Sequence, residues 1–211
     1  MSTAEPLQLT DRGRGDDEPG FRRRLLDALE AGITAAGYAN TTVADVVRRA
    51  RTSRRTFYQY FDSKEDCFIA LLADNSARMI DQISAAVDAE SPWPLQARQA
   101  IEAWVAAAES RPALMVSWIR DVPALGAAAR QLQLDFLEDF IVLVQALCNT
   151  EALLAAGVGP VSRQRAIMLL GGLRELTAST LESGGRISDI TEEAVAATLA
   201  LLGPYNPAPP H

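Results

Sequence analysis

A chain of 211 residues with 48% hydrophobic content, mean hydropathy of +0.02 and a formal charge of −7 is long enough to bury a sizeable core and is expected to be soluble. No apolar run reaches the length of a membrane span and no basic-then-apolar leader begins the chain, so a cytoplasmic protein with no membrane partner is expected. Two isolated cysteines, Cys67 and Cys148, and one histidine, the terminal His211, give no disulfide framework, no metal-ligand spacing and no internal imidazole, so neither a metal nor a cofactor is expected.

Residues 1–20 are polar, charged and aperiodic, which predicts a solvated arm, with Arg12 and Arg14 offset by Asp11, Asp16, Asp17 and Glu18 beside them. From Phe21 to Ala36, Leu25, Leu26, Leu29 and Ile33 repeat as one face of a first helix that Gly37 stops, and Tyr38 is placed to plug a small core. Thr42 caps a second helix, with Asp45 completing a capping box and Val43, Val46, Val47 and Ala50 as its stripe. Ser53 caps a third, Arg54 to Phe61, with Phe57 and Phe61 inward. Ser63 caps a fourth that runs from Lys64 to about Ala89, with Glu65 and Asp66 at the positive end of its dipole.

Ser91-Pro92-Trp93-Pro94 breaks the chain before a fifth helix, Leu95 to Ser110, carrying Ile101, Trp104 and Val105. A short sixth follows Pro112 with Leu114, Met115, Trp118 and Ile119. Ala127 to about Asn149 is apolar except for a narrow polar stripe, which predicts a seventh helix covered on most sides. Two terminal helices, Val161 to Ser183 and Ser188 to Leu202, carry the small residues Gly171, Gly172, Ala178 and Ser179, and Ala194, Ala197 and Thr198. Such faces are expected to build a four-helix interface with a second copy about a two-fold axis. Residues 204–211 form a proline-rich tail.

The second and third helices, joined by a tight turn, have the layout of a helix-turn-helix, whose second helix enters the major groove. The chemistry suits that use: arginine can bind guanine and glutamine adenine in bidentate fashion, a threonine methyl can meet thymine, and tyrosine hydroxyls and lysine suit phosphate oxygens. Thr41 to Lys64 holds six basic residues against two acidic ones, +4, leaving −11 for the rest of the chain. An acidic body behind a basic tip orients the encounter with DNA, and binding is expected to weaken steeply with salt. The organisation expected is therefore all-α, with about nine helices: a helix-turn-helix head over residues 21–64 and a helical body over 65–203.

The run GYANTTVADVV followed by TSRRTFYQYFDSKED resembles the DNA-binding end of the tetracycline repressor (TetR) family of bacterial regulators, over about fifty residues from Phe21 to near Leu72. The resemblance implies phosphate contact by Thr42, Tyr58 and Lys64, and base or groove contact by Arg54, Arg55, Thr56, Gln59 and Tyr60. Arg51 departs from the pattern, standing where the family usually has a turn glycine. The resemblance further implies a homodimer on a palindromic operator and a body pocket whose ligand spreads the two heads. The candidate lining is Trp104, Met115, Trp118, Phe136, Phe140 and Leu143, which favours a small, mostly apolar, uncharged or weakly charged ligand. The competing reading is a helical DNA-binding adaptor or architectural protein with a closed body and no ligand. An enzyme is disfavoured, since no catalytic constellation is visible.

Overall fold

The computed structural model describes residues 18–204; the expected arm up to Asp17 and the tail from Tyr205 lie outside the described residues. Ten α-helices and two 3₁₀ turns make up the described part. The first three are α1 (Glu18–Ala36), α2 (Val43–Arg49) and α3 (Arg54–Tyr60), and α4 (Lys64–Ala86) leads into the body. There follow α5 (Trp93–Glu109), α6 (Pro112–Arg120), α7 (Ala127–Cys148), α8 (Glu151–Ala155), α9 (Arg163–Glu182) and α10 (Thr191–Leu202). The tenth helix beyond expectation is α8, a single turn capped by Thr150, whose hydroxyl accepts from the Leu153 amide; five residues are too few to show a period. The first helix also begins earlier than expected, at Glu18.

Hydroxyl caps fix the starts of the short helices. Thr42 and Asp45 close the capping box on α2, Ser53 accepts from the Thr56 amide on α3, and Ser63 accepts from the Asp66 amide on α4. Between α2 and α3 the Thr52 amide bonds the Val47 carbonyl at 2.9 Å and the Arg51 amide bonds the Arg48 carbonyl at 3.3 Å. This is a Schellman closure with Arg51 in the left-handed region at φ 51°.

Two cores result, and α4 belongs to both. Its first half joins Leu25, Leu29, Val46, Phe57 and Phe61 through Cys67, Phe68, Leu71 and Leu72. Leu114, Val122, Ala129 and Phe136 extend that first core into the body. Met79 and Ile83, further along α4, pack with Trp104, Val105, Ile141, Leu169 and Val195 in the second. Tyr38 plugs the head as expected, stacked on Phe68 at 4.2 Å with its hydroxyl donating to Glu65 at 3.3 Å. Burial, and then the Glu65 charge, raise its ionisation well above the ordinary phenol range. Cys67 and Cys148 are free and buried, and burial pushes their thiols up to about 12 and about 11.

The body departs from expectation in two places. α7 is not covered on most sides in the single chain, because two of its large apolar residues, Leu134 at the edge of the body cavity and Val142, are 54% and 58% exposed. Of the small residues assigned to an interface with a second copy, Ala178, Ala194 and Thr198 are buried inside one chain at 0%, 1% and 4% exposure. The Thr198 hydroxyl is satisfied by the Ala194 carbonyl at 2.7 Å within its own helix. These three serve packing within the chain. Gly172 and Ser179 remain exposed on α9, Gly171 is exposed but borders the body cavity, and Ala197 is half-buried on α10.

Candidate nucleic-acid interface and body cavity

The seven residues of α3 can hold only one buried face, and Phe57 takes it; Phe61 at the end of the helix adds to the same side. Arg54, Arg55, Tyr58 and Gln59 are left exposed, Tyr58 at 54% although it is an aromatic residue. Thr42 is also exposed, while Thr56 and Tyr60 are half-buried. The Thr56 hydroxyl is engaged with Ser53 Oγ at 2.9 Å, and Tyr60 packs against the head core. Arg48 and Arg49, in the last turn of α2, add two exposed cations beside this face.

Two of the expected phosphate donors carry structural duties. The Thr42 hydroxyl donates to Asp45 Oδ2 at 2.6 Å and its amide donates to the same oxygen at 3.1 Å. Those bonds, joined by Arg48 at 2.7 Å, hold the Asp45 carboxyl below the usual carboxylate range. Lys64 is half-buried, its Nζ donating to the Tyr38 carbonyl at 3.0 Å and lying 4.1 Å from the centre of the Tyr38 ring. An ammonium has three donors, so one bond leaves others for solvent or phosphate, but its position is set by the head itself.

In the body a cavity of about 450 Å³ opens among α4, α5, α6, α7 and α9. Trp104, Met115, Trp118, Phe136 and Phe140 line it, five of the six residues singled out from sequence. Leu143 does not. It lines a separate space of about 70 Å³, together with Trp104 and Phe140, because it sits one turn further along α7. Trp118 and Phe136 stand against each other at 4.8 Å.

The sequence reading missed the polar part of the lining: Asn75, Ser76, Arg130, Gln133 and Arg174. For Ser76 the signal was available, since it interrupts the stripe Leu72, Met79, Ile83 at a buried position. Arg130 and Arg174 gave none, because helices distant in sequence bring them together. Among the described residues no group of three His, Cys, Asp or Glu is arranged to hold a metal ion, and no helix is long and apolar enough to cross a membrane.

Residues 25–71 match the family described as bacterial regulatory proteins, tetR family. Over 58 residues the chain is 34% identical to the uncharacterized HTH-type transcriptional regulator YdgC of Bacillus subtilis (strain 168), a match spanning 28% of this chain and 30% of that relative. Solved structures share the fold along most of the chain. The transcriptional regulator FadR from Bacillus subtilis in complex with stearoyl-CoA superposes with a TM-score of 0.71 at 16% identity, covering 87% of this chain and 99% of that one. The fatty acid degradation regulator FadR from Bacillus halodurans gives 0.72 at 16%, covering 85% and 97%. A bacterial regulatory protein in the tetR family from Rhodococcus RHA1 gives 0.67 at 16%, covering 88% and 98%.

Proposed function

Through residues 25–71 this chain belongs to the TetR family of bacterial regulatory proteins, and on that premise we propose that it is a ligand-responsive transcriptional repressor that binds a palindromic operator as a homodimer. The observation that carries this reading is one helix shared between a polar reading head and a hollow body. α4 supplies Phe68 and Leu72 to the core beneath the recognition helix, and Asn75 and Ser76 to the wall of the cavity. A molecule that fills the cavity better in one tilt of α4 than in another moves the head by population shift.

The division of labour at the head follows from exposure. Arg54, Arg55 and Gln59 read base edges, Tyr58 fixes register on phosphate with Arg48 and Arg49 adding charge, and Thr56, Tyr60, Thr42 and Lys64 hold the helix at its angle as well as meeting the groove or backbone. The second copy docks on α9 and α10, where Met168, Gly172, Leu176 and Ser179 are exposed together with Ala196 and Ala200. Helical apolar surface of this kind suits an isologous contact, and two-fold symmetry makes the operator palindromic.

A cavity of about 450 Å³ lies within the range of small-molecule sites, ~300–1,000 Å³, and counts against an architectural protein with a closed body. Its walls are mostly apolar. The acyl-CoA held by the Bacillus subtilis relative is likewise a molecule with a long apolar part, which supports a mostly apolar ligand here. The same family membership supports a regulator working in the cytoplasm without enzymatic activity.

Selection of bound fragments from random duplex DNA, followed by titration at several salt concentrations, tests the proposal. The expected result is a palindrome, bound by two copies, with affinity falling steeply as salt rises. Enrichment of no sequence, or of an asymmetric site bound by one copy, would sink it.

A further inference from the structure

The body is acidic, with nine arginines against eighteen aspartates and glutamates after Lys64. The cavity inverts that balance. Arg130 and Arg174 both line it, and among the described residues none of its lining side chains is a carboxylate. Arg130 makes no hydrogen bond or ion pair with any described residue. Arg174 donates through Nη2 to the Ile119 carbonyl at 3.0 Å, which fixes its guanidinium without neutralising it. Arg98, Arg111, Arg120, Arg163 and Arg186 by contrast each meet a glutamate. Two exposed guanidiniums lining a cavity that has no carboxylate of its own give its apolar wall a cationic edge of the kind that pairs with an anionic group, with Glu175 beside Arg174 offsetting part of that charge.

A second, independent observation points to a ligand. Ser76 is 6% exposed and lines the same cavity, yet its Oγ has no hydrogen-bond partner. A buried hydroxyl left unpaired is costly, and buried polar groups are as a rule satisfied. A guest carrying an oxygen at this wall would give that hydroxyl a partner.

We propose that the cavity takes an anionic amphiphile, an acyl chain whose tail lies against Trp104, Met115, Trp118, Phe136 and Phe140 and whose anionic head is held by Arg130 and Arg174, with Ser76 bonding an oxygen of the chain or head. This rests on the ligand-responsive reading above and narrows it, replacing an uncharged or weakly charged guest by a charged one. A free carboxylate and the phosphates of a thioester-linked carrier present the same chemistry to two guanidiniums. The arms of the test separate these two sources.

Trp104 and Trp118 in the wall make binding visible as a change in intrinsic fluorescence. The full chain is titrated with dodecanoate, dodecanoyl-CoA and 1-dodecanol, and the titrations are repeated on Arg130→Gln/Arg174→Gln. Both substitutions lie at exposed positions, and a thermal melt of the variant checks that the fold is kept. The expected result is binding of at least one anionic probe, weakened about 10-fold or more in the double variant, as loss of charge-assisted bonds requires. Binding of 1-dodecanol should be weaker and unmoved by the substitutions. A preference between the two anionic probes names the source. If 1-dodecanol binds as tightly as both anionic probes, or the double variant keeps full affinity for them, the anion site is overturned while a ligand-responsive body survives. If no probe binds, the acyl-chain proposal falls with it, and loss of operator binding on selected DNA remains the separate test of the regulator reading.

Discussion

Arg51 is the residue at which the head disagrees with itself. It is held at φ 51° as the left-handed member of the closure that ends α2, with Thr52 and Arg51 amides returning to Val47 and Arg48. A non-glycine residue in that region costs about 1–2 kcal/mol, and replacing it by glycine gives back about 0.4–1 kcal/mol through a looser unfolded chain. Arg51→Gly is therefore expected to stabilise the protein by about 0.5–1 kcal/mol, or roughly 1–4 °C in Tm for a chain of this size. Arg51→Ala removes the same side chain and keeps the backbone penalty, so it separates the two effects. Arg51→Asn should fall between them, because asparagine visits this region more readily than alanine. Urea midpoints and thermal melts on the four proteins measure the order Gly, then Asn, then Ala. A glycine variant no more stable than the alanine variant would refute the reasoning. If Arg51 also meets a phosphate, the Gly and Ala variants lose the same amount of salt slope, about 0.9 on the logarithmic scale.

Gly32 on α1 has no room for a methyl group: a Cβ there would lie 2.5 Å from Thr41 Cγ2 and 3.1 Å from its Oγ1. Gly32→Ala is expected to lower stability by about 1–3 kcal/mol despite the better helix propensity of alanine. Thr41→Ser removes the clashing methyl and keeps the hydroxyl that bonds the Gly37 carbonyl at 2.9 Å, so the double variant should recover most of the loss in urea midpoint; no recovery would show that the contact is not the cause. The Asp45 carboxyl, held low by Thr42, stabilises the head above its unfolded value near pH 4, and that contribution is lost as pH falls through the folded value. Asp45→Asn should thus be less stable than the parent at neutral pH and approach it in acid, and a deficit of equal size at both ends of the titration would argue against this. At the recognition helix, Tyr58→Phe should weaken selected operator and random duplex by one common factor. Gln59→Ala should instead cost about 1–3 kcal/mol on the operator and little on random DNA. Indistinguishable profiles for the two variants in anisotropy titrations would remove the assigned roles.

Much of the head was legible because its information is local. Capping hydroxyls at Thr42, Ser53 and Ser63 announce helix starts within four residues, and Phe57 with Phe61 defines the inward side of α3 from spacing alone. The apolar wall of the cavity was legible for a related reason, since Trp104, Met115, Trp118, Phe136 and Phe140 sit on stripes facing a common interior. Spacing does not say how deep along a helix a residue falls, which is why Leu143 lands in the smaller space. Nor does it say which neighbour a small residue packs against. Ala178, Ala194 and Thr198 have the side chains of a close interface, but the close approach they allow is spent inside one chain. The charged lining was hidden because Arg130 and Arg174 read as ordinary solvated positions until α7 and α9 are brought side by side.

Head and cavity also meet through a second route besides α4. Arg111, at the start of α6, donates through Nη1 to Asn75 Oδ1 at 3.1 Å and pairs through Nε with Glu30 of α1 at 3.2 Å. Asn75 is part of the cavity wall and Glu30 part of the first head helix, so one guanidinium holds both. The ion pair is three-quarters buried on either side, at 25% and 22% side-chain exposure, where breaking it costs more than at an open surface. A guest that displaces Asn75 must therefore either drag Arg111, and α1 with it, or break that bond. On the proposed reading this makes the coupling reciprocal: whatever factor the guest takes from operator affinity, the operator takes from the guest. On the same reading no long pathway is required, because α4 and Arg111 each touch both the head and the cavity wall.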